Sequence, residues 1–559
     1  MGVLQIAVVI LLLLLIVKPL GTYMYHVFSN QPNKTDKVFG GFEKLIYKIS
    51  GLTERKAMTW KKYTISLILT NVVLVAVGYL ILRLQNYLPF NPNGIDNMEP
   101  TTAFNTIISF MTNTNLQHYS GETGLSYFGQ MAVIIMMMFT SAVTGIVVAI
   151  AFIRGITSKG KTLGNFFEDF VKGHTRLLLP MAVVVTLVLV GLKVPQTLDA
   201  NITVTTVEGV KQTIATGPVA SLVSIKHLGT NGGGFFGVNS SHPFENPTPL
   251  TNVIEMLSMW CIPASLTYTY GKFARNRKQG WVIFGAMSVL FLLFLSLAYV
   301  SESNGNPALT KLGLNTEQGS MEGKEMRFGI AQSALFTTVT TAATTGTVNN
   351  MHDTLTPLGG ITPLAQMMLN VVFGGDGVGL VNMLMYAIIG VFICGLMVGR
   401  TPEFLGRKIE PKEMKLITVA LLAHPLIILG PTAIAFLTDL GKGAISNPGF
   451  HGISQILYEY TSSAANNGSG FEGLADGTTF WNVTTGLVML FGRYISIVAL
   501  LAVAGSLVKK QPVPETIGTF RTDNTLFTGI LIGVVLIIGA LTFLPVIALG
   551  PIAEYLSIR

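Results

Sequence analysis

Charge is what this chain has least of. Asp, Glu, Lys and Arg together make up 11% of its 559 residues, where a soluble domain carries roughly 25%. Half of the residues are hydrophobic, and they run together in stretches of about twenty, the length that crosses a bilayer. That combination excludes a soluble multidomain protein. Cysteine is nearly absent: Cys261 and Cys394 are the only two, both in or beside apolar runs. No disulfide framework and no thiolate metal site follow from them. The eight histidines show no metal-ligand spacing. An Asp-Lys-Thr-Gly-Thr phosphorylation motif is missing. The largest cytoplasmic loop has about thirty residues, short of the roughly 50 that a domain usually needs.

Two literal nucleotide motifs fail on context. Gly155-Ile156-Thr157-Ser158-Lys159-Gly160-Lys161-Thr162 fits the Walker A pattern, and Gly232-x-Gly234-x-x-Gly237 fits the dinucleotide pattern. Each requires a strand before it and a helix after it in an α/β core. A membrane span precedes the first, and no βαβ unit surrounds the second.

The formal charge of +8 could point to nucleic acid, but its placement points to a membrane. Lys34, Lys37, Lys44, Lys48, Arg55, Lys56, Lys61 and Lys62 crowd one loop. Arg154, Lys159, Lys161, Lys172 and Arg176 fill a second, and Lys272, Arg275, Arg277 and Lys278 a third. Arg400, Arg407, Lys408, Lys412 and Lys415 mark a fourth, and Lys509, Lys510 and Arg521 a fifth. The positive-inside rule makes these loops cytoplasmic. Both termini are then extracytoplasmic, and no nucleic acid partner is expected. The first apolar run, Val3 to Val17, lacks a basic leader and is followed by Lys18-Pro19. It reads as a retained span rather than a cleaved signal.

The apolar runs predict ten spans, near 3–25, 63–85, 124–153, 177–194, 250–271, 281–300, 355–399, 416–438, 480–508 and 525–549. The seventh is too long for one straight helix, and Phe373-Gly374-Gly375-Asp376-Gly377-Val378-Gly379 should break it. Irregular backbone at membrane depth survives only where protein buries it or water bathes it. The break is therefore expected to face a pore.

Four extracytoplasmic segments share one plan: a short apolar helix, a run of Thr, Asn, Ser and Gly, then a full span. The runs are Thr112-Asn113-Thr114-Asn115, Gly229-Thr230-Asn231-Gly232-Gly233-Gly234, Thr344-Thr345-Gly346-Thr347 and Ala465-Asn466-Asn467-Gly468, with starts 117, 115 and 121 residues apart. The expected fold is an all-α polytopic membrane protein of ten transmembrane helices. Four span–pore helix–loop–span repeats surround a pseudo-fourfold axis. Residues 1–28 are the first helix and 29–62 a cytoplasmic loop. The repeats are 63–153, 177–271, 281–399 (with the broken second span) and 416–508. Residues 525–559 form the last helix and an external C-terminus.

A permeating cation must trade water for other oxygens, and backbone carbonyls can supply them. Glycine lets a backbone aim its carbonyls at an axis. Thr and Asn add oxygens and hydrogen-bond the loop into shape. Re-entrant helices would point their negative C-terminal ends inward. The runs contain no carboxylate; acids follow them, at Glu122, Glu245, Asp353 and Glu472. Neutral oxygens suit a large monovalent ion, potassium over sodium, with no other cofactor. The candidate binding residues are thus Thr112 to Asn115, Thr230 to Gly234, Thr344 to Thr347, and Asn466, Asn467 and Gly468. His118, His242 and His352, just after loops, read as hydrogen-bonding groups. Arg493, in Leu490-Phe491-Gly492-Arg493-Tyr494, is an intramembrane charge, which usually faces a polar interior. It is expected to face the broken span, with Asp376 as a possible partner. Gly374, Gly375, Asp376, Gly377, Gly379 and Arg493 together form a candidate gate.

Over essentially its whole length the chain resembles the potassium-binding A subunits of the bacterial Kdp system. The resemblance rests on Thr112 to Gln117, Gly229 to Phe236, His242-Pro243-Phe244-Glu245-Asn246-Pro247, Asn349-Asn350-Met351-His352-Asp353 and Ser463 to Ser469. The sequence departs from the family pattern at Leu116, at Thr345-Gly346 and at Asp376. The resemblance implies a fold shared with the Trk and Ktr potassium transporters and a place in a bacterial plasma membrane. It also implies partners: a B subunit (KdpB) that is a P-type ATPase, with KdpC and KdpF. This chain would capture the ion and pass it sideways, while the break and Arg493 block leakage. The alternative is a Ktr- or Trk-like channel driven by the membrane potential, which gives about 2.3 kcal/mol per charge per 100 mV.

Overall fold

Long apolar runs with few internal charges become helices, and nine described helices are long and apolar enough to cross a membrane. They are Gly2–Phe28, Trp60–Tyr87, Tyr127–Thr157, Phe166–Gly191, Arg277–Lys311, Gly375–Met397, Pro411–Leu437, Thr479–Leu507 and Thr525–Ile558. Pro249–Phe273 is a further helix of 25 residues. The computed structural model describes residues 2–29, 31, 35–52, 56–514 and 520–558; Lys34 and Arg55 of the first basic loop fall outside them.

Side-chain caps set several of the entry points. Thr248 and Thr251 form a capping box ahead of Pro249, Glu410 and Glu413 do the same ahead of Pro411, and Asn276 accepts from Gln279 N ahead of Arg277. Each satisfies backbone N–H groups that the first turn leaves open. Burial then sorts the helices. Of the most apolar stretch of Tyr127–Thr157, 83% is buried, against 17% for Gly2–Phe28. The first is a central post; the second lies at the rim, packed on Pro249–Phe273, where Thr269 Oγ1 donates to Gly21 O at 3.0 Å.

The seventh span is broken as its glycines predict. Pro357–Leu369 ends on Asn370 in the left-handed region (φ 47). A single 3-10 turn, Gly375–Gly377, follows, and a second helix runs over Val378–Met397. The Walker-like segment begins inside a helix, since Gly155 to Thr157 finish Tyr127–Thr157.

Two features depart from an all-helical chain. Ile202–Thr205 and Lys211–Ile214 pair antiparallel, as do Glu403–Phe404 and Arg407–Lys408. The first strand of the first pair, Ile202-Thr203-Val204-Thr205, is β-branched throughout, which favours a strand, but the pair is exposed and isolated. The early basic loop also holds a helix, Thr35–Ile49. Arg176 fastens it to the body: its Nε and Nη2 donate to Glu43 at 2.6 Å each.

Candidate ion-binding site

Four short helices carry the predicted loops: Pro100–Met111, Val219–Leu228, Gly329–Ala342 and Phe450–Ala465, of 12, 10, 14 and 16 residues. None reaches the roughly 20 residues of a span. All four end alike. Thr114 N donates to Ser109 O at 2.9 Å, Asn231 N to Lys226 O at 2.8 Å, Thr345 N to Thr340 O at 2.8 Å and Asn467 N to Ser462 O at 2.9 Å. The residue before each donor is left-handed: Asn113 (φ 64), Thr230 (φ 48), Thr344 (φ 44) and Asn466 (φ 56). By this register Ala343, rather than Thr344, stands where Thr112, Gly229 and Ala465 stand, so the third run begins one residue earlier than its polar residues suggest.

The four loops meet. A methyl group added to Gly232 would lie 2.5 Å from Thr114 O and 2.7 Å from Asn467 O. One on Gly346 would strike Asn467 O and lie 2.8 Å from the Gly232 Cα; one on Gly468 would strike Thr114 O. Loops one, two, three and four thus close on one another through three glycines and two carbonyls. Gly346 (φ 93) and Gly468 (φ 100) also occupy backbone conformations that a side chain disfavours. Asn side chains strap neighbouring loops together. Asn113 Nδ2 donates to Thr230 O at 2.9 Å and Gly229 O at 3.2 Å. Asn466 Nδ2 donates to Thr114 Oγ1 at 2.9 Å, and Asn467 Nδ2 to Thr340 O at 3.0 Å. Thr112 and Thr114 share a hydroxyl–hydroxyl bond of 2.8 Å, and Thr345 Oγ1 is buried without a partner.

Two predicted residues face elsewhere. The Gly233 Cα is turned toward Phe110 and Asn115 O. That of Gly234 is turned toward Phe236 O, Asn239 and Glu245, while Gly234 N donates to Gln117 Oε1 at 2.8 Å. Thr347 O accepts from Thr340 Oγ1 at 2.6 Å, and its hydroxyl lies 3.2 Å from Ser240 Oγ.

Three of the four acids that follow the loops staple backbone, and the fourth, Asp353, accepts from Gln455 Nε2 at 2.9 Å. Glu122 accepts from Gly237 N at 2.9 Å and Glu245 from Phe236 N at 2.9 Å. Glu472 accepts from His352 N at 3.0 Å and Asp353 N at 3.2 Å; burial pushes its carboxyl up to about 8. The three histidines make polar contacts. His118 Nδ1 lies 2.7 Å from Asn482 Oδ1, and His352 Nδ1 2.8 Å from the Tyr458 hydroxyl. His242 Nδ1 accepts from Phe244 N at 3.1 Å, while its ring stacks on Phe236.

One residue in this region went unread in the sequence. At the helix position where the other units carry Ser109, Thr340 and Ser462, the second carries Lys226. The three hydroxyls tie down their loops: Ser109 Oγ donates to Leu116 O (2.9 Å), Thr340 Oγ1 to Thr347 O (2.6 Å), and Ser462 Oγ accepts from Gly468 N (2.9 Å). Lys226 instead donates to Ser240 Oγ at 3.1 Å and to Glu245, both ends of that ion pair sealed from solvent. A lysine in an apolar ten-residue helix was the available signal.

Beneath the loops hangs the break. Gly375 N donates to Thr344 Oγ1 at 2.6 Å, tying it to the third loop. Gly377 (φ 113) presses on Gly145 O, and a methyl on Gly145 would meet Asp376 O at 2.9 Å and Arg493 Nη2 at 3.1 Å. Asp376 and Arg493 are therefore neighbours across Gly145, but they form no ion pair among the described residues. Arg493 Nη2 donates to Ser141 O at 3.2 Å, and both carboxylate oxygens of Asp376 are buried without hydrogen-bond partners. A cavity of about 250 Å³, bordered by Gly145, Asn370, Gly377, Asn382 and Arg493, opens beside them.

Membrane-spanning helices packed around four buried polar loops make a multi-pass membrane protein. Residues 7–556 match the model of one family, KdpA, potassium-transporting ATPase A subunit, and the chain belongs to it. It is 65% identical over 555 residues to the potassium-transporting ATPase potassium-binding subunit of Geobacillus kaustophilus (strain HTA426), covering 99% of each chain. A solved structure, the potassium transporter TrkH from Vibrio parahaemolyticus, is similar with a TM-score of 0.49 and 15% identity, over 78% of this chain and 84% of that one. As a subunit of a potassium-transporting ATPase, the chain works within a complex to which the ATPase activity belongs.

Proposed function

We propose that the four loops are the place where this subunit binds potassium, its substrate ion. The observation that carries the reading is the packing of Gly232, Gly346 and Gly468 against Thr114 O and Asn467 O. Four helix C-termini bring partial negative charge to one centre. Only neutral oxygens stand there, and Asn113, Asn466 and Asn467 hold the loops at fixed spacing. Such a ring replaces the water of a weakly hydrated monovalent ion without the charge that would trap a divalent one. Thr112 to Asn115, Thr230 to Gly232, Thr344 to Thr347 and Asn466 to Gly468 are the contributing residues, with Gly233 and Gly234 shaping the second loop from behind.

The recurring helix ending supports four repeats about a pseudo-fourfold axis, at 63–153, 177–271, 281–399 and 416–508. Helices Gly2–Phe28 and Thr525–Ile558 flank them, and Pro249–Phe273 is the tenth span. Both termini are extracytoplasmic, which leaves the loops open to the outside of a bacterial plasma membrane. From the loops the ion enters the cavity beneath, where Gly374 to Gly379 and Arg493 oppose direct escape to the cytoplasm. It passes instead to a P-type ATPase B subunit, in a complex with C and F subunits.

The test is rubidium-tracer uptake, and potassium-stimulated ATP hydrolysis, by complexes carrying Gly232→Ala, Gly346→Ala or Gly468→Ala. Each methyl adds overpacking of about 1–3 kcal/mol, which predicts apparent potassium affinity lower by roughly tenfold or more and weaker discrimination against sodium. Affinity and selectivity unchanged in all three would place the binding site elsewhere.

A further inference from the structure

His118 lies in the tail of the first loop, and its ring ends in a small cage outside the four-loop centre. Its Nδ1 is 2.7 Å from Asn482 Oδ1. Asn482 Nδ2 donates to Thr101 Oγ1 at 3.1 Å and Thr102 Oγ1 at 3.2 Å. Oxygen is therefore the Asn482 atom that faces the ring, and Nδ1 carries the proton. Nε2 is left facing two carboxylates, Glu459 Oε1 at 3.3 Å and Asp476 Oδ2 at 3.8 Å. The ligand atoms of the three residues all lie within 4.8 Å of one another.

The His118 separations, 3.3 and 3.8 Å, approach those of a metal shell, and the whole trio spans no more than 4.8 Å. With metal–ligand lengths of about 2.0–2.1 Å, neighbouring ligands of a tetrahedral zinc ion stand about 3.3 Å apart. Small side-chain rotations close the trio on such an ion. A second observation points the same way. Glu459 is 1% exposed; its Oε1 pairs with His118 Nε2 at 3.3 Å, and its Oε2 is buried with no hydrogen-bond partner, an expensive state for a carboxylate oxygen. The Asp476 side chain is 27% exposed, which gives an ion a way in and leaves room for water as a fourth ligand. Asn482 holds the far ring nitrogen as the outer partners of metal-bound histidines do.

We propose that His118, Glu459 and Asp476 form an extracytoplasmic site for a divalent transition-metal ion of the zinc type. One imidazole nitrogen and two carboxylate oxygens bind the ion, and Asn482 is a positioning residue. The donor set differs from the neutral oxygens of the four loops, so zinc and potassium sort to different places. A bound ion ties the tail of the first loop to Phe450–Ala465 and to the segment leading into Thr479–Leu507. Occupancy thereby stiffens two of the four loop units from outside the membrane.

The assembled ATPase complex, purified in detergent and freed of metal with a chelator, is titrated with Zn²⁺ against a chromogenic zinc indicator. Wild type is compared with His118→Gln, Asp476→Asn and Asn482→Ala. One zinc ion per complex should be missing from His118→Gln, and Asn482→Ala should bind it about 10–100-fold more weakly. Asp476→Asn, altered at the solvent edge where folding is least at risk, should also lose at least about tenfold in affinity. Substituting Co²⁺ should give the strong visible bands of four-coordinate cobalt in wild type and not in His118→Gln. Potassium-stimulated ATP hydrolysis on the same samples reports the four-loop site separately, so the zinc result stands whichever way the potassium reading falls. Equal zinc stoichiometry and affinity in wild type and Asp476→Asn would overturn the proposal.

Discussion

Lys226 reaches Glu245 in a pocket that admits no solvent to either side chain. It does so from the helix position that the other three loop units give to a hydroxyl. The second loop is thus braced by an ion pair to its own return segment, where Ser109, Thr340 and Ser462 brace theirs by neutral hydrogen bonds. The neutral ring at the centre therefore has a buried full charge just behind it, neutralised by a carboxylate that also accepts from Phe236 N.

Breaking that pair from one side should be costly. A buried charge left without its partner costs about 3–5 kcal/mol, while replacing both partners by apolar groups of similar volume is often close to neutral. Glu245→Leu should lower the melting temperature of the purified complex sharply, and Lys226→Met/Glu245→Leu should recover much of the loss. A double variant as unstable as the single one would show that the fold needs the charges themselves.

Asn466 does two jobs that can be separated. Its backbone is left-handed (φ 56), which costs an ordinary residue about 1–2 kcal/mol. Its side chain straps the fourth loop to Thr114 Oγ1 and to Met489 O, at 2.9 and 3.0 Å. Asn466→Gly keeps the backbone and removes the strap; Asn466→Ala removes both. Potassium affinity in the complex should fall in the order wild type, Asn466→Gly, Asn466→Ala. Equal affinity for glycine and asparagine would mean that the strap contributes nothing.

The loops were legible in the sequence because left-handed backbone needs Asn or Gly, and Asn113, Asn115, Asn466, Gly346 and Gly468 all sit where φ is positive. The same rule explains the slip in the third loop. Thr230 and Thr344 are left-handed although β-branched, so their roles carry no residue-type signature and Ala343 looked like part of the helix. The broken span was legible from four glycines and an aspartate in seven residues. Lys226 was not, because its partner is 19 residues away and only the fold decides which of several acids it meets. Asp376 and Arg493 are neighbours, but that Arg493 donates to Ser141 O of another helix, across Gly145, while the Asp376 carboxylate has no hydrogen-bond partner, depends on the fold.

His451 links three separate parts of the outer surface. Its Nε2 lies 3.0 Å from Asp353 after the third loop, and its Nδ1 2.9 Å from Glu554 near the C-terminus. Burial works against its charge, but the two carboxylates outweigh burial and raise it from 6.5 to about 9. A histidine raised in the folded state stabilises fully below its unfolded value, and that contribution fades as pH climbs through its folded value. Glu472, raised by burial to about 8, acts in the same direction, because the folded state holds its proton longer. Melting temperature should therefore decline from about pH 4.5, where Glu472 begins to contribute, to about pH 9, where His451 ends, and His451→Gln should flatten the upper part of that decline. A pH profile identical in the variant would remove His451 from the account.

Arg493 is the residue whose loss should change function most without disturbing the loops. It is 5% exposed, borders the cavity beside the break and, among the described residues, donates one hydrogen bond, to Ser141 O. A cation passing within about 5 Å of its guanidinium meets a repulsion of roughly 3 kcal/mol at an effective dielectric of 20. That is a barrier of about a hundredfold in rate. Arg493→Met keeps most of the volume and removes the charge. Potassium-loaded proteoliposomes carrying the variant complex should leak potassium down its gradient without ATP, and ATP hydrolysis should move fewer ions per turnover. Potassium affinity at the loops, set above the break, should change little. Tight liposomes with normal coupling would mean that the glycine-rich break closes the path alone.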